Sequence, residues 1–362
     1  MRRPPVGIIL LLLAATSEAY GFAYVVAGAG GSRKIKVIDT TQDVIVGEIP
    51  IADGYGVSVD SEGLLVYITD PSSNKLRVLD QETQQFIAVV DLPGANPRGV
   101  FENLNVAPTN QIVYVAEHDL GSMARVSYGT WTVTGHNEVC VPAPCVSNCK
   151  PFSITLNPNT QTTLGYVSST DCNVHAFDWF FGSSIYAEFP NTKNGRGIAV
   201  HPGGGTLYVV TSVSGSADRL KTLDPLLAPQ GPTVVDNEPL RAEALGIAIN
   251  PNYPDIRRLY VTTTNAAGHY YVRVYGIDTP QNPTFISEVP VWLQGGTNAG
   301  AIQVHPIDGV KIYAIVRGAD RVAVIDPEKA ETDPNNAVVK FITVGQTPRA
   351  FGNFIDHSPG CP

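Results

Sequence analysis

Three arginines occupy the same place in three similar short segments. Arg98 lies in "ANPRGV", Arg196 in "KNGRGI" and Arg349 in "QTPRAF", each directly before or within an apolar run. Corresponding segments carry Tyr55 ("ADGYGV"), Lys150 ("NCKPFSI") and Asn298 ("TNAGAI"). Guanidinium groups hold carboxylate, phosphate or sulfate through paired hydrogen bonds. These six residues therefore predict an anion-binding site, provided that the fold brings the segments together. A purely structural role, in which each arginine bonds nearby carbonyls or an acid of the next repeat, stays open.

A second chemical group lies in the segment "AEHDLGS". Glu117 and His118 are candidates for a general base, and with Asp119 they could also supply metal ligands. His118 beside Arg98 is the preferred catalytic pair, because it would couple proton transfer to anion binding. The spacing of these groups matches no metal motif, so we predict no metal and no cofactor.

The elements that carry these segments belong to a repeat. Seven apolar runs contain a tyrosine at the same place: Tyr24, Tyr67, Tyr114, Tyr166, Tyr208, Tyr260 and Tyr313. Successive tyrosines are separated by roughly 40 to 50 residues, the length of one propeller blade. The apolar-polar alternation around each run, bounded by Gly, Pro, Asn and Asp, indicates four strands per unit.

The ends of the chain indicate how such a ring would close. Residues 1–19 combine Arg2 and Arg3 with a short apolar stretch and a small-residue cleavage pattern, which predicts a secretory signal peptide. The sequence after it begins at the second strand of a unit, and "TPRAFGNFI" at 347 resembles a first strand with nothing after it. We therefore predict an all-β, seven-bladed β-propeller over residues 20–355, closed by the N- and C-terminal strands in one blade. Residues 356–362 form a C-terminal tail.

The repeat resembles the YVTN family of seven-bladed β-propellers. The resemblance rests on "LYVTTTN" at 259, "KIKVIDTTQDVIVGEIPI" at 34 and "TPRAFGNF" at 347. It implies a propeller fold and exported or surface-layer binding proteins, with distant similarity to lactonase-type propellers. The Pro-Arg element of those enzymes precedes a catalytic His, whereas Gly99, Gly197 and Ala350 follow the arginines here.

Five cysteines agree with export. Cys140, Cys145, Cys149 and Cys172 lie close together along the chain, and Cys361 lies near its end. Disulfides form in oxidising compartments. Three pairings of the first four are open, of which 149–172 with 140–145 is preferred. Cys361 is a candidate for a bond to another chain.

Charge and targeting limit the partners. The net charge of −9 argues against nucleic acid, and no transmembrane segment is predicted once the signal peptide is removed. We expect a secreted, periplasmic or cell-surface protein that binds a protein partner or an anionic ligand at the rim of its channel. The alternatives are a lactonase-like hydrolase or lyase that uses the same mouth, and a structural surface-layer or cell-wall protein.

Overall fold

The computed structural model describes residues 21–60, 62–103, 111–139, 149–158, 163–179, 185–189, 191–212, 217–225, 233–252, 255–291 and 300–356. Their strands form seven antiparallel sheets. The first three sheets contain β1 (Phe22–Ala27), β2 (Lys34–Asp39) and β3 (Val44–Pro50); β4 (Val57–Val59), β5 (Leu65–Asp70), β6 (Lys75–Asp80) and β7 (Gln85–Asp91); and β8 (Pro97–Asn103), β9 (Ile112–Glu117), β10 (Ser122–Ser127) and β11 (Val133–Glu138).

The remaining four sheets follow in chain order. They contain β12 (Pro151–Leu156), β13 (Leu164–Ser169), β14 (Val174–Asp178) and β15 (Ile185–Phe189); β16 (Gly195–Val200), β17 (Leu207–Thr211), β18 (Arg219–Asp224) and β19 (Thr233–Pro239); β20 (Glu243–Ile249), β21 (Arg258–Thr264), β22 (Tyr270–Gly276) and β23 (Thr284–Pro290); and β24 (Ile302–Val304), β25 (Ile312–Val316), β26 (Arg321–Ile325) and β27 (Val338–Thr343). A short helix, α1 (Pro327–Thr332), follows β26 and is capped by the side chain of Asp326.

This arrangement is a seven-bladed β-propeller, as the repeat predicts. Each sheet is one blade, numbered 1 to 7 in chain order, and the first strands of neighbouring blades pack against one another around the axis. No described helix has the length and apolar character needed to cross a membrane.

Some of the recurring tyrosines form hydrogen bonds to the neighbouring blade. All seven side chains are fully buried. Tyr114 of blade 3 donates its hydroxyl to the carbonyl oxygen of Trp179 at 2.6 Å, and Tyr208 of blade 5 donates to that of Pro280 at 2.8 Å. Because each acceptor belongs to the next blade, burial of the ring and satisfaction of its hydroxyl occur at the same interface.

Blade 1 differs from the prediction in one respect. The C-terminal segment lies beside β1, where Tyr24 N donates to Phe354 O and Val26 N donates to Arg349 O, both at 2.8 Å. These contacts are isolated bridges, however, and the described part of blade 1 has three regular strands. The predicted closure by a regular C-terminal strand therefore stays a prediction.

Glycines set the spacing between inner strands. A Cβ atom at Gly99 would lie 2.6 Å from Phe152 O, and one at Gly197 would lie 2.4 Å from Leu245 O. Both carbonyls belong to the following blade. The glycine that opens these inner strands is thus required by close approach of two backbones.

Candidate functional site

β-Bulges present two of the predicted arginines. The register of β8 against β9 shifts between Pro97 and Val100, and that of β16 against β17 shifts between Gly195 and Ile198. Arg98 and Arg196 lie within these two irregular stretches. Bulges redirect a side chain out of the regular alternation, and here they do so at the same end of two inner strands.

The Tyr55 ring contacts two of the predicted arginines. The guanidinium carbon of Arg98 lies 4.5 Å from the centroid of the Tyr55 ring, and that of Arg349 lies 5.5 Å from it. Burial raises the pKa of the Tyr55 hydroxyl and outweighs the opposite effect of four nearby guanidinium groups, those of Arg98, Arg317, Arg349 and Arg196. Tyr55 therefore keeps its proton at neutral pH and can donate a hydrogen bond. We call these four arginines and Tyr55 the arginine mouth.

Two members of the arginine mouth have carboxylate partners. Arg196 Nη1 lies 3.1 Å from Glu243 Oε1 in the next blade. Arg349 Nη1 lies 3.6 Å from Asp53 Oδ1, which Arg33 Nε also approaches at 2.9 Å. The structural alternative raised for these arginines thus accounts for Arg196 and for part of Arg349.

Arg98 and Arg317 differ from this pair. Within the described ranges neither forms an ion pair, and the Nε atoms of Arg98, Arg317 and Arg349 are buried without a hydrogen-bond partner. Buried N–H donors without acceptors are costly. Within the described ranges, no carboxylate therefore neutralises the charges of Arg98 and Arg317.

His118 lies in the field of these charges. Its Nδ1 is 2.8 Å from Asp119 Oδ1, and its side chain is 15% exposed. Burial lowers the pKa of His118, the charges of Arg98 and Lys150 lower it further, and the bond to Asp119 offsets only part of this. His118 is consequently neutral at pH 7.

The other predicted residues have different surroundings. The Glu117 side chain is fully buried, accepting a hydrogen bond from Ser122 Oγ at 2.6 Å and lying 2.7 Å from His136 Nδ1. Lys150 Nζ is 3.6 Å from Asp171 Oδ2. Asn298 lies outside the described residues.

A polar cavity of about 550 Å³ opens at the arginine mouth. Its lining includes Arg98, Arg349, Asp53, Asp119 and Asn96. This volume falls in the range of small-molecule sites. In the part of the chain that the structure describes, no cluster of three or more His, Cys, Asp or Glu side chains could hold a metal ion.

Three aromatic rings lie behind the mouth. The ring of Phe152 is 4.8 Å from that of Phe351 and 5.7 Å from that of Tyr55, centroid to centroid. Tyr55, Phe152 and Phe351 form what we call the aromatic plug. On its other side a largely apolar cavity of about 390 Å³ is lined by inner-strand residues such as Ile154, Ile198 and Ile247.

The predicted Cys149–Cys172 disulfide is present. It joins the segment that leads into β12 to the turn between β13 and β14, next to Lys150 and Asp171. Cys140, Cys145 and Cys361 lie outside the described residues.

Sequence reasoning missed Arg317, which begins a 3₁₀ turn (Arg317–Ala319) between β25 and β26. It also missed Phe152 and Phe351. Arg317 could have been found by aligning the loops between second and third strands, since these approach the same end of the channel. The sequence gives no comparable indication of the aromatic plug. An apolar residue has the same sequence pattern whether its side chain faces the axis or the next blade.

Comparison with known proteins defines the class of protein but no family. No family model matches the sequence, and no curated protein matches it. Among solved structures, hydrazine synthase from Kuenenia stuttgartiensis is similar with a TM-score of 0.68 and 16% identity, covering 81% of this chain and 87% of that one.

Two proteins with lactonase names are also similar in structure. The periplasmic gluconolactonase of Pseudomonas aeruginosa has a TM-score of 0.66 and 12% identity, over 91% of this chain and 98% of that one. A putative 6-phosphogluconolactonase from Bacteroides fragilis has the same TM-score and identity, over 92% and 98%. At such low identity these likenesses show the propeller fold alone.

Proposed function

We propose that this protein is an exported β-propeller that binds a small anionic ligand at the arginine mouth. The observation that carries the proposal is that the guanidinium groups of Arg98 and Arg349 lie 4.5 and 5.5 Å from the Tyr55 ring. Arg317 lines a small pocket together with Tyr55 and Arg349, and neither Arg98 nor Arg317 has an ion-pair partner among the described residues. A carboxylate, phosphate or sulfate in the polar cavity that Arg98 and Arg349 line would neutralise part of this charge. The resemblance to the YVTN family agrees with a binding role.

Electrostatics favour an anion at this end of the channel. The chain as a whole is acidic, with a net charge of −9, so a concentrated positive site stands out against its surroundings. Charge-assisted hydrogen bonds to Arg are worth about 1.5–3 kcal/mol each. The adjoining cavity of about 550 Å³ leaves room for a ligand larger than a single ion.

The first test is titration calorimetry with phosphate, sulfate and citrate. We expect saturable binding of at least one of them, and a loss of roughly tenfold or more in affinity for Arg98→Ala and for Arg317→Ala. Arg321→Ala removes the same charge four residues further on, where the side chain stacks over Phe341, and should bind as the unmodified protein does. No saturable binding, or equal affinity in all variants, would contradict the proposal.

Export is part of the same proposal. The Cys149–Cys172 disulfide supports it, because such bonds persist in oxidising compartments. The periplasmic location named for one structural neighbour is compatible with it.

A second candidate function is lactonase-like hydrolysis at the same mouth. The observation that favours it is His118, which is neutral at pH 7 and bonded to Asp119 beside Arg98. Its free nitrogen could remove a proton from water, whose oxygen would attack the ester carbonyl and form a tetrahedral intermediate. The acyl C–O bond of the ring would then break, and the imidazolium would return the proton to the leaving alkoxide, giving a hydroxy acid. An arginine would stabilise the oxyanion.

The second candidate predicts that the protein releases acid from simple lactones. The rate is measured as the base that must be added to keep the pH constant. Substitution His118→Gln should abolish hydrolysis, while His269→Gln, in a corresponding loop of blade 6, should not affect it. Hydrolysis that survives the loss of His118 would exclude this assignment.

A further inference from the structure

We infer that Thr69 is a positioning residue of the arginine mouth, which holds Arg98 against Tyr55 without touching the ligand. The inference rests on the proposed function. Thr69 Oγ1 donates to the carbonyl oxygen of Arg98 at 2.7 Å and accepts from the amide of Gly56 at 2.8 Å. One buried hydroxyl thus ties the backbone of Arg98 to the peptide that follows Tyr55.

The position of this hydroxyl matters because regular pairing is absent there. Arg98 lies in the irregular stretch of β8 between Pro97 and Val100. Its carbonyl points to blade 2, where a Cβ atom on Gly56 would lie 2.2 Å away. The hydrogen bond from the Thr69 hydroxyl therefore fixes this part of the bulge against the neighbouring blade.

The side chains held in this way are those that form the mouth. The guanidinium of Arg98 stacks 4.5 Å from the Tyr55 ring, while its Nε remains without a partner. If the bulge shifted relative to Tyr55, the Arg98 guanidinium group would move away from the Tyr55 ring. Displacements of about 1 Å in binding groups weaken a preorganised site strongly.

The same device occurs in two other blades. Ser168 Oγ donates to Arg196 O at 2.6 Å, and Thr262 Oγ1 donates to Gly300 O at 2.7 Å. Each of these hydroxyl residues stands two positions after the recurring tyrosine of its blade. The hydroxyl of Thr262 in blade 6 donates to a glycine carbonyl of blade 7, so this bridge joins two blades without positioning an arginine.

Thr262 therefore provides a control for Thr69. Both hydroxyls are buried, both accept from the amide of an inner-strand glycine at 2.8 Å, and both donate across a blade interface. Thr→Val preserves the shape and removes the hydroxyl at either place. Thr69→Val should lower the melting temperature by roughly 2 °C, and Thr262→Val by at least as much, because Thr262 also interacts with the buried Tyr270 hydroxyl.

The experiment measures anion affinity by calorimetry at a temperature well below the melting temperature. The probe is whichever of phosphate, sulfate and citrate the full chain binds most tightly. We expect Thr69→Val to weaken binding roughly fivefold, and Thr69→Ser, which keeps the hydroxyl, to restore it. Thr262→Val should bind as the unmodified protein does. If Thr69→Val does not fold, Ser168→Ala replaces it, with a smaller expected loss because Glu243 also holds Arg196.

The outcomes separate this inference from the proposed function. If Arg98→Ala weakens binding and Thr69→Val does not, the inference is wrong and the anion site stands. If Thr262→Val weakens binding as much as Thr69→Val, the effect is general loss of packing and the inference is equally wrong. If Arg98→Ala binds normally, the proposed function itself fails.

Discussion

At the scale of single residues, the arginine mouth depends on a conflict between burial and charge. Burial opposes ionisation of Tyr55, four guanidinium groups favour it, and burial prevails. Burial also lowers the pKa of Arg349, with the charge of Arg33 acting in the same direction. A concentration of like charges is costly to an empty site, and a bound anion would relieve that cost.

The opposite rim contains a buried acid that allows a prediction on pH. Asp60 is fully buried, and this burial raises its pKa from 3.8 to about 6, although its Oδ1 accepts a hydrogen bond from Leu64 N at 2.7 Å. Because the folded pKa exceeds the unfolded one, the folded state binds more protons between them. The contribution of Asp60 to stability is therefore present below pH 3.8 and is lost as the pH rises through 6.

We predict that Asp60→Asn stabilises the protein at pH 8, by roughly 1–3 kcal/mol. Asparagine keeps the acceptor for Leu64 N without the charge, and Asn250 fills the matching turn of blade 6. The gain in the free energy of unfolding should become smaller as the pH falls towards 4. The free energy of unfolding from urea denaturation at the two pH values measures it.

Asp80→Asn is the matched control. Hydrogen bonds from Thr83 hold the pKa of Asp80 below its usual value, so the substitution should destabilise at pH 8. If Asp60→Asn has no effect at pH 8, or has one of the same sign as Asp80→Asn, the assignment of a strained carboxylate at Asp60 is wrong.

At the scale of elements, the contact between inner strands is made by glycine and hydroxyl residues. Four glycines at the start of inner strands admit a carbonyl of the next blade, namely Gly56, Gly99, Gly197 and Gly246. At three interfaces between blades a Thr or Ser hydroxyl completes the contact. The polar end of the recurring tyrosine run therefore has a structural purpose, which the run alone does not reveal.

This geometry predicts that Gly99→Ala destabilises the protein by about 1–3 kcal/mol. Its backbone conformation suits any residue, but the new methyl group would lie 2.6 Å from Phe152 O, so blades 3 and 4 must separate. Gly30→Ala, where nothing lies within 4 Å, should change stability by less than about 0.5 kcal/mol. Urea denaturation of both variants measures the difference, and equal values would show that the interface tolerates the methyl group.

At the scale of the whole molecule, the sequence predicts the ring well and its interior poorly. Period-two alternation and the recurring tyrosines indicate seven four-stranded units, since both arise from the burial pattern of a strand. Repeat alignment also predicted that Arg98, Arg196 and Arg349 share one end of the channel. It could not predict which of them would find a carboxylate, because Glu243 and Asp53 become partners only through the curvature of the ring.

The aromatic plug lies beyond sequence reasoning for the same cause. Phe351 lies beside blade 1 and Phe152 in blade 4, and their contact crosses the axis. Pairings across a closed ring leave no periodic trace.

Among the described residues, the aromatic plug lies between the polar cavity beside the arginines and the apolar cavity on its other side. A ligand bound at the arginines would therefore enter and leave from the polar side of the plug. Binding and release would then use a single opening, so a large molecule bound in the polar cavity would block access to the arginines for every other ligand.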